Sequence, residues 1–193
     1  LFYKELTQQL QRLGFKPHPL EPCIHYLETQ VSGKRILHGV LGTHVDDGVC
    51  GGDSIFHQKI QELQTRLPFG AFKQRKFTFT GISLEQTPDF GITASQQDYI
   101  HGILPIEIGK QRRSFPEQSA SESEKSALRG LIGSVQYAVT HTRPDLASKL
   151  GEIQVQIARP TVNTLLLANK LLREAQETSD TQKIGRASCR ERV

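Results

Sequence analysis

The sequence predicts an α+β fold, with a sheet-bearing segment first and a run of helices after it. Two observations carry this reading. Through the first hundred residues, short branched and aromatic runs alternate with turns rich in Gly, Pro and Asp. Beyond residue 127, three apolar repeats at helical spacing follow one another, separated by Pro144 and Pro160. A chain of 193 residues is long enough for one good core or two small subdomains.

Taken in order, Phe2, Leu6, Leu10 and Leu13 form one helical stripe that Gly14 closes. Pro17, Pro19 and Pro22 force an extended connection. Residues 23–27 read as a strand, 31–34 as a turn and 36–52 as a hairpin. Asp53 or Ser54 can cap a helix carrying Phe56, Ile60, Leu63 and Leu67, which Pro68 stops. Residues 77–84, rich in aromatic and branched side chains, read as one strand, and Pro88-Asp89-Phe90-Gly91 turns it into Ile92-Thr93-Ala94. Ser121-x-x-Glu124 is a capping-box pattern ahead of Leu128, Leu131, Ile132, Val135, Ala138 and Val139. Asp145 can cap a second helix with Leu146, Leu150, Ile153 and Ile157, and Thr161 opens a third with Val162, Leu165, Leu166, Ala168, Asn169 and Leu172. The expected organisation is a sheet-bearing part over residues 1–105, a polar linker over 106–126 and a helical part over 127–182.

Composition narrows the function classes. No apolar run approaches the roughly 20 residues that span a bilayer, and the N-terminus lacks the basic-then-apolar order of a secretory leader. The chain has no methionine and starts inside an amphipathic stripe, so it reads as a fragment. Residues 183–193 have no apolar periodicity, and Ile184 to Val193 match the translation of a common sequencing adapter; that stretch is set aside from the fold. Its three Arg and one Glu account for half of the formal charge, which falls from +4 to +2, so a pI of 9.0 is weak evidence for a nucleic-acid partner. The remaining cysteines, Cys23 and Cys50, sit in no ligand cluster and suit a reduced, intracellular chain.

The most informative feature is the paired acid Asp46-Asp47 between two apolar runs, at the expected hairpin tip. Two carboxylates side by side repel unless a cation joins them, so the pattern suits a divalent metal. Asp and Gly are also ordinary turn residues, and on the dipeptide alone a solvent-facing turn explains it as well. A metal hydrolase needs more ligands close together; His38 and Asp46 are eight residues apart, about 26 Å along an extended strand. Lys73, Arg75 and Lys76 lie among Phe72, Phe77 and Phe79, a mixture that can hold a nucleic-acid backbone or form a solvated basic turn. Lys110, Arg112 and Arg113 are a weaker candidate of the same kind, and Arg143 in Thr-Arg-Pro-Asp suits a structural role at a helix end.

Several separated pieces resemble one family in order and spacing. They are Gly14-Phe15 with Cys23-Ile24-His25-Tyr26, Thr43-His44-Val45-Asp46-Asp47, Phe79-Thr80-Gly81-Ile82, and Ser95-Gln96-Gln97-Asp98-Tyr99-Ile100. Arg129 to Tyr137 and Thr142-Arg143-Pro144-Asp145-Leu146 continue the series. Together, over Leu10 to Leu172, they resemble the reverse transcriptase of Ty1/copia-type LTR retrotransposons. The resemblance implies part of a right-hand polymerase palm, an antiparallel sheet with helices, followed by a small helical thumb-like subdomain. It implies that Asp46 and Asp47 are the catalytic, metal-binding acids, serving Mg²⁺ (or Mn²⁺) in two-metal nucleotidyl transfer. His44 and Val45 then lie near the primer or nucleotide, with RNA template and DNA primer as partners. Integrase lies upstream and RNase H downstream in the parent polyprotein, which works in a cytoplasmic particle or the nucleus.

This sequence departs from the family at His44, where the family carries tyrosine; histidine keeps a flat ring without the phenol, and is equally an ordinary strand residue. The family also uses a third aspartate from an earlier palm strand and basic residues of the fingers, which precede the segment seen here, so the chain alone is expected not to polymerise. The alternative is a non-catalytic remnant that binds nucleic acid or a protein.

Overall fold

The stripe of Leu6, Leu10 and Leu13 winds into helix α1, Phe2–Arg12, and Gly14 ends it at a φ of 92° that favours glycine. The computed structural model describes residues 2–45, 47–70, 72–181 and 183–186, and divides into two units, Leu1–Lys73 and Gln74–Val193. It is an α+β chain with two antiparallel sheets and seven α-helices among the described residues. No helix among them is long and apolar enough to cross a membrane.

In the first unit, β1 (Phe15–Pro17), β2 (Ile24–Val31), β3 (Lys34–His44) and β4 (Asp47–Gly52) pair in that order as an antiparallel meander. Ser32 and Gly33, both at positive φ, make the two-residue turn from β2 to β3. The acid-tipped hairpin forms over β3 and β4 in the expected place. Asp53 caps α2, Ser54–Arg66, by accepting the Phe56 amide at 3.0 Å. Leu6 and Leu10 of α1, with Leu13 just past its end, pack with Phe15, Leu27, Leu41 and the α2 residues Phe56, Ile60 and Leu63. Both helices therefore cover one face of the sheet. Gly39 and Gly52 sit opposite each other in the β3–β4 ladder and leave room for the fully buried Phe56 ring; a Cβ at either would come 2.4 Å from a ring atom.

The second unit opens with β5 (Lys76–Phe79), β6 (Ile82–Gln86) and β7 (Gly91–Ser95), again an antiparallel meander. The single strand expected over 77–84 is therefore two strands. Thr80 and Gly81, at φ 49° and 78°, form a tight turn between them, and its twist matches that of the flanking strands. Then come α3 (Gln97–His101), α4 (Lys110–Arg113), α5 (Glu122–His141), a 3₁₀ turn at Pro144–Leu146, α6 (Ala147–Val155) and α7 (Val162–Glu177). The Ser121–Glu124 capping box is present, and all six apolar residues expected to line α5 are buried. Thr161 forms a second box with Thr164.

Three expectations are corrected here. The sheet-bearing part does not run as one piece to residue 105, because β5 to β7 belong with the helices that follow. Residues 106–126 are not a linker: Ile106, Ile108 and Ala120 enter the helical core, and Asn169 holds both the amide and the carbonyl of Ile106 at 2.8 Å. Short apolar residues in extended chain carry no helical period, so this anchoring is invisible to pattern reading. Asp145 caps nothing, since it is taken by Arg143, and α6 starts from the 3₁₀ turn with no side-chain cap.

The stretch set aside from the fold also contributes. Lys183–Arg186 forms β8 and pairs antiparallel with β7 from Gly91↔Arg186 to Ala94↔Lys183. The free edge of β7 offers a row of backbone donors and acceptors, which any extended segment can pair with whatever its side chains.

Four of the sequence pieces meet in the second unit. Tyr99 donates to the Ser134 carbonyl at 3.2 Å, Tyr137 donates to the Thr80 carbonyl, and the two tyrosine rings stack edge to face with centroids 5.2 Å apart beside Gly81. Thr142 donates to the Gln96 side-chain oxygen at 2.9 Å. Next to it Arg143, 1% exposed, grips both Asp145 oxygens, the Ala175 carbonyl at 3.1 Å and the Thr178 hydroxyl at 2.7 Å. It ties the end of α5 to the end of α7, the structural role its motif suggested, and its guanidinium holds the Asp145 carboxyl below the usual range.

Candidate functional site

Alternation along β3 and β4 decides which side chains share a surface. Leu41 and its opposite partner Cys50 point to the helix-covered face, so Val40, Gly42 and His44 point to the other, with their partners Gly51, Val49 and Asp47. Tyr26, opposite Val40, lies on that same uncovered face. Here Val40 is 38% exposed, against 8% for Leu41 one residue along.

At the hairpin tip His44 pairs directly with Asp47, so their side chains are cross-strand neighbours on the open face, and both are exposed. Val45, a turn residue, follows His44. Val45 is 79% exposed with φ at 53°, a left-handed conformation that costs a β-branched residue about 1–2 kcal/mol. Such strain concentrates where a loop is held for a purpose. Asp46, the first of the paired acids, lies outside the described residues. Among the described residues no group of three or more His, Cys, Asp or Glu side chains gathers to hold a metal. Those at the tip supply one carboxylate oxygen donor, Asp47, and one nitrogen donor, His44. A carboxylate suits a hard divalent cation; the imidazole departs from the all-oxygen set that Mg²⁺ prefers.

The open face continues away from the tip over a flat strip, where Gly42 and Gly51 carry no side chains, to Lys16 on β1 and Glu28 on β2. Lys16 bonds Glu28 at 2.8 Å, and this hydrogen bond, with the charges of Lys16 and Arg35, holds the Glu28 carboxyl below its usual range.

The basic candidates fare differently. Lys76 pairs with Glu85 across β5 and β6 at 3.0 Å, and strand alternation sends it to the face opposite Phe77 and Phe79. Lys73 closes the first unit while Arg75 and Lys76 belong to the second. The mixture of charges and rings that the sequence suggested is thus split along this strand. Arg112 is committed to structure. It bonds both Glu124 oxygens at 2.8 Å, the Gln118 side chain and the Ser119 carbonyl, and it draws the Glu124 carboxyl down to about 2.

Sequence reading missed the environment of His25. It is fully buried, and neither ring nitrogen has a hydrogen-bond partner among the described residues. Burial pushes its pKa down, so the folded chain holds it neutral. Unfolded, it titrates near the ordinary value of about 6.5. As pH falls below that value the unfolded state takes a proton the folded state refuses, and stability drops until the lowered pKa is reached. Urea midpoints measured from pH 7 to pH 5 are expected to fall for the natural chain and to fall less for His25→Leu; equal slopes would exclude His25 as the cause.

No family model matches this chain, and neither the curated proteins nor the solved structures contain a significant match to it.

Proposed function

We propose that the chain is a piece of an RNA-directed DNA polymerase of the copia retrotransposon type. In this reading the first unit is part of the palm, and α5 to α7 of the second are thumb-like. One observation supports it above the others: the β3–β4 turn presents Asp47 on the sheet face that α1 and α2 leave uncovered. A face with a carboxylate at its tip and a flat glycine strip behind it can take the terminus of a primed template. Asp47, with Asp46 beside it in sequence, holds a divalent cation, while Val40, Val49 and Tyr26 form the apolar floor for sugars and bases. A cation held there would supply the charge neutralisation that nucleotidyl transfer needs in the intact enzyme. His44 lies across from Asp47, within reach of the same primer end.

Photocrosslinking tests the reading. A primed RNA template carrying a thio-base at the primer 3′ end is expected to crosslink within residues 40–49, to need a divalent cation, and to lose most of its yield in Asp47→Asn. Crosslinks that map elsewhere, or that ignore the cation, would overturn it.

A further inference from the structure

We propose that Thr29, His38 and Asp53 form a second site, in which Thr29 is an activated hydroxyl nucleophile toward carboxylic esters with a short apolar acyl chain. The site lies along β3 away from the hairpin tip and needs no cation. Its three side chains touch in series. The Asp53 carboxylate bonds His38 Nδ1 at 2.7 Å, and His38 Nε2 bonds the Thr29 hydroxyl at 2.8 Å. A backbone irregularity brings them together. Leu27 pairs with Gly39 and Glu28 with Leu37, so His38 is the extra residue of a β-bulge, a device that re-aims a side chain. Asp53 is fixed twice more, its amide donating to the His38 carbonyl at 2.8 Å and its other carboxylate oxygen capping α2. Chemistry then assigns the protons. The hydrogen bond from His38 holds the Asp53 carboxyl below its usual range, so the carboxylate is ionised and only accepts; the ring proton therefore sits on Nδ1. Nε2 is left to accept the Thr29 hydroxyl, which is the arrangement a general base needs. His38 is buried and shielded, while Thr29 is exposed to a reactant. Ile36, directly across from Thr29 and also exposed, supplies the apolar contact for the acyl chain. Thr29 forms an ester bond to the acyl carbon while its proton passes to Nε2 and on to the departing alkoxide. Water then releases the acid by the same route and restores the hydroxyl.

A phosphonofluoridate, added to the full chain and mapped by peptide mass spectrometry, tests this. Thr29 displaces fluoride, a P–O bond replaces the P–F bond, and the hydroxyl proton stays on His38, so the adduct persists. Thr29 is expected to be labelled about 100-fold faster than Thr65, an exposed threonine whose hydroxyl donates to a backbone carbonyl. His38→Gln is expected to bring Thr29 down to the rate of Thr65. Asp53→Asn keeps the cap on α2 but sets an amide N–H against Nδ1, which moves the ring proton to Nε2. Labelling is then expected to fall at least about tenfold, with the changed tautomer visible in the nitrogen NMR shifts of the His38 ring. Labelling of Thr29 no faster than Thr65 in the natural chain overturns the proposal. Fast labelling that survives His38→Gln, or that survives Asp53→Asn with the tautomer changed, overturns it too. Unchanged circular dichroism of the variants establishes that the fold is not the variable.

Discussion

Replacing Arg143 with Ala is expected to destabilise the second unit by about 2–4 kcal/mol, because a buried cation that holds three groups in place is removed and nothing replaces it. The Ala175 carbonyl and the Thr178 hydroxyl lose a charged donor at the end of α7, and the Asp145 carboxylate loses its counter-ion. Arg143→Lys keeps the charge but cannot form the fork that binds both Asp145 oxygens, so it is expected to recover only part of the loss. Urea unfolding followed by circular dichroism, which reads the helices, measures both. A loss below about 1 kcal/mol in Arg143→Ala would mean that the guanidinium is not what holds the two helix ends together.

Gly39→Ala and Gly52→Ala are expected to have the next largest effects, about 1–3 kcal/mol each or more, through overpacking against Phe56. A methyl at Gly39 also comes 2.6 Å from the Gly51 carbonyl, and one at Gly52 comes 2.5 Å from the His38 carbonyl, so the backbone resists as well as the ring. Phe56→Leu shrinks the obstructing side chain. A double-mutant cycle is expected to show that Gly39→Ala costs less when leucine is at 56, though the backbone contact prevents full recovery. Strictly additive losses would show that the ring and the glycine do not compete for the same space.

What could be read from the sequence divides along physical lines. Amphipathic helices and their starts were legible: Leu6, Leu10 and Leu13, Asp53, the Ser121 box and Thr161 each mark an element the structure contains. The acid-tipped hairpin was legible too, since two apolar runs around Asp46-Asp47 leave few alternatives. Features with no local period escaped. Ile106 and Ile108 are anchored by Asn169, 63 positions away in the chain, and Thr80-Gly81 hides a turn inside what reads as one strand. Faces escaped as well. Only the register shows that His44 and Asp47 share a surface while Lys76 turns away from Phe77. The seat that Gly39 and Gly52 make for Phe56 is a product of cross-strand pairing, which no linear spacing reveals.

That seat makes the hairpin a cantilever. It is clamped by an aromatic ring at Gly39 and Gly52, keeps contact with the helix-side core through Leu41 and Cys50, and runs three residues beyond them to His44 and Asp47, about 10 Å of strand. Over that arm, a tilt of about 6° displaces the tip by about 1 Å, the scale at which reacting groups lose alignment. Where Asp47 comes to rest is therefore governed from the far end of the lever, by how firmly one phenylalanine is gripped.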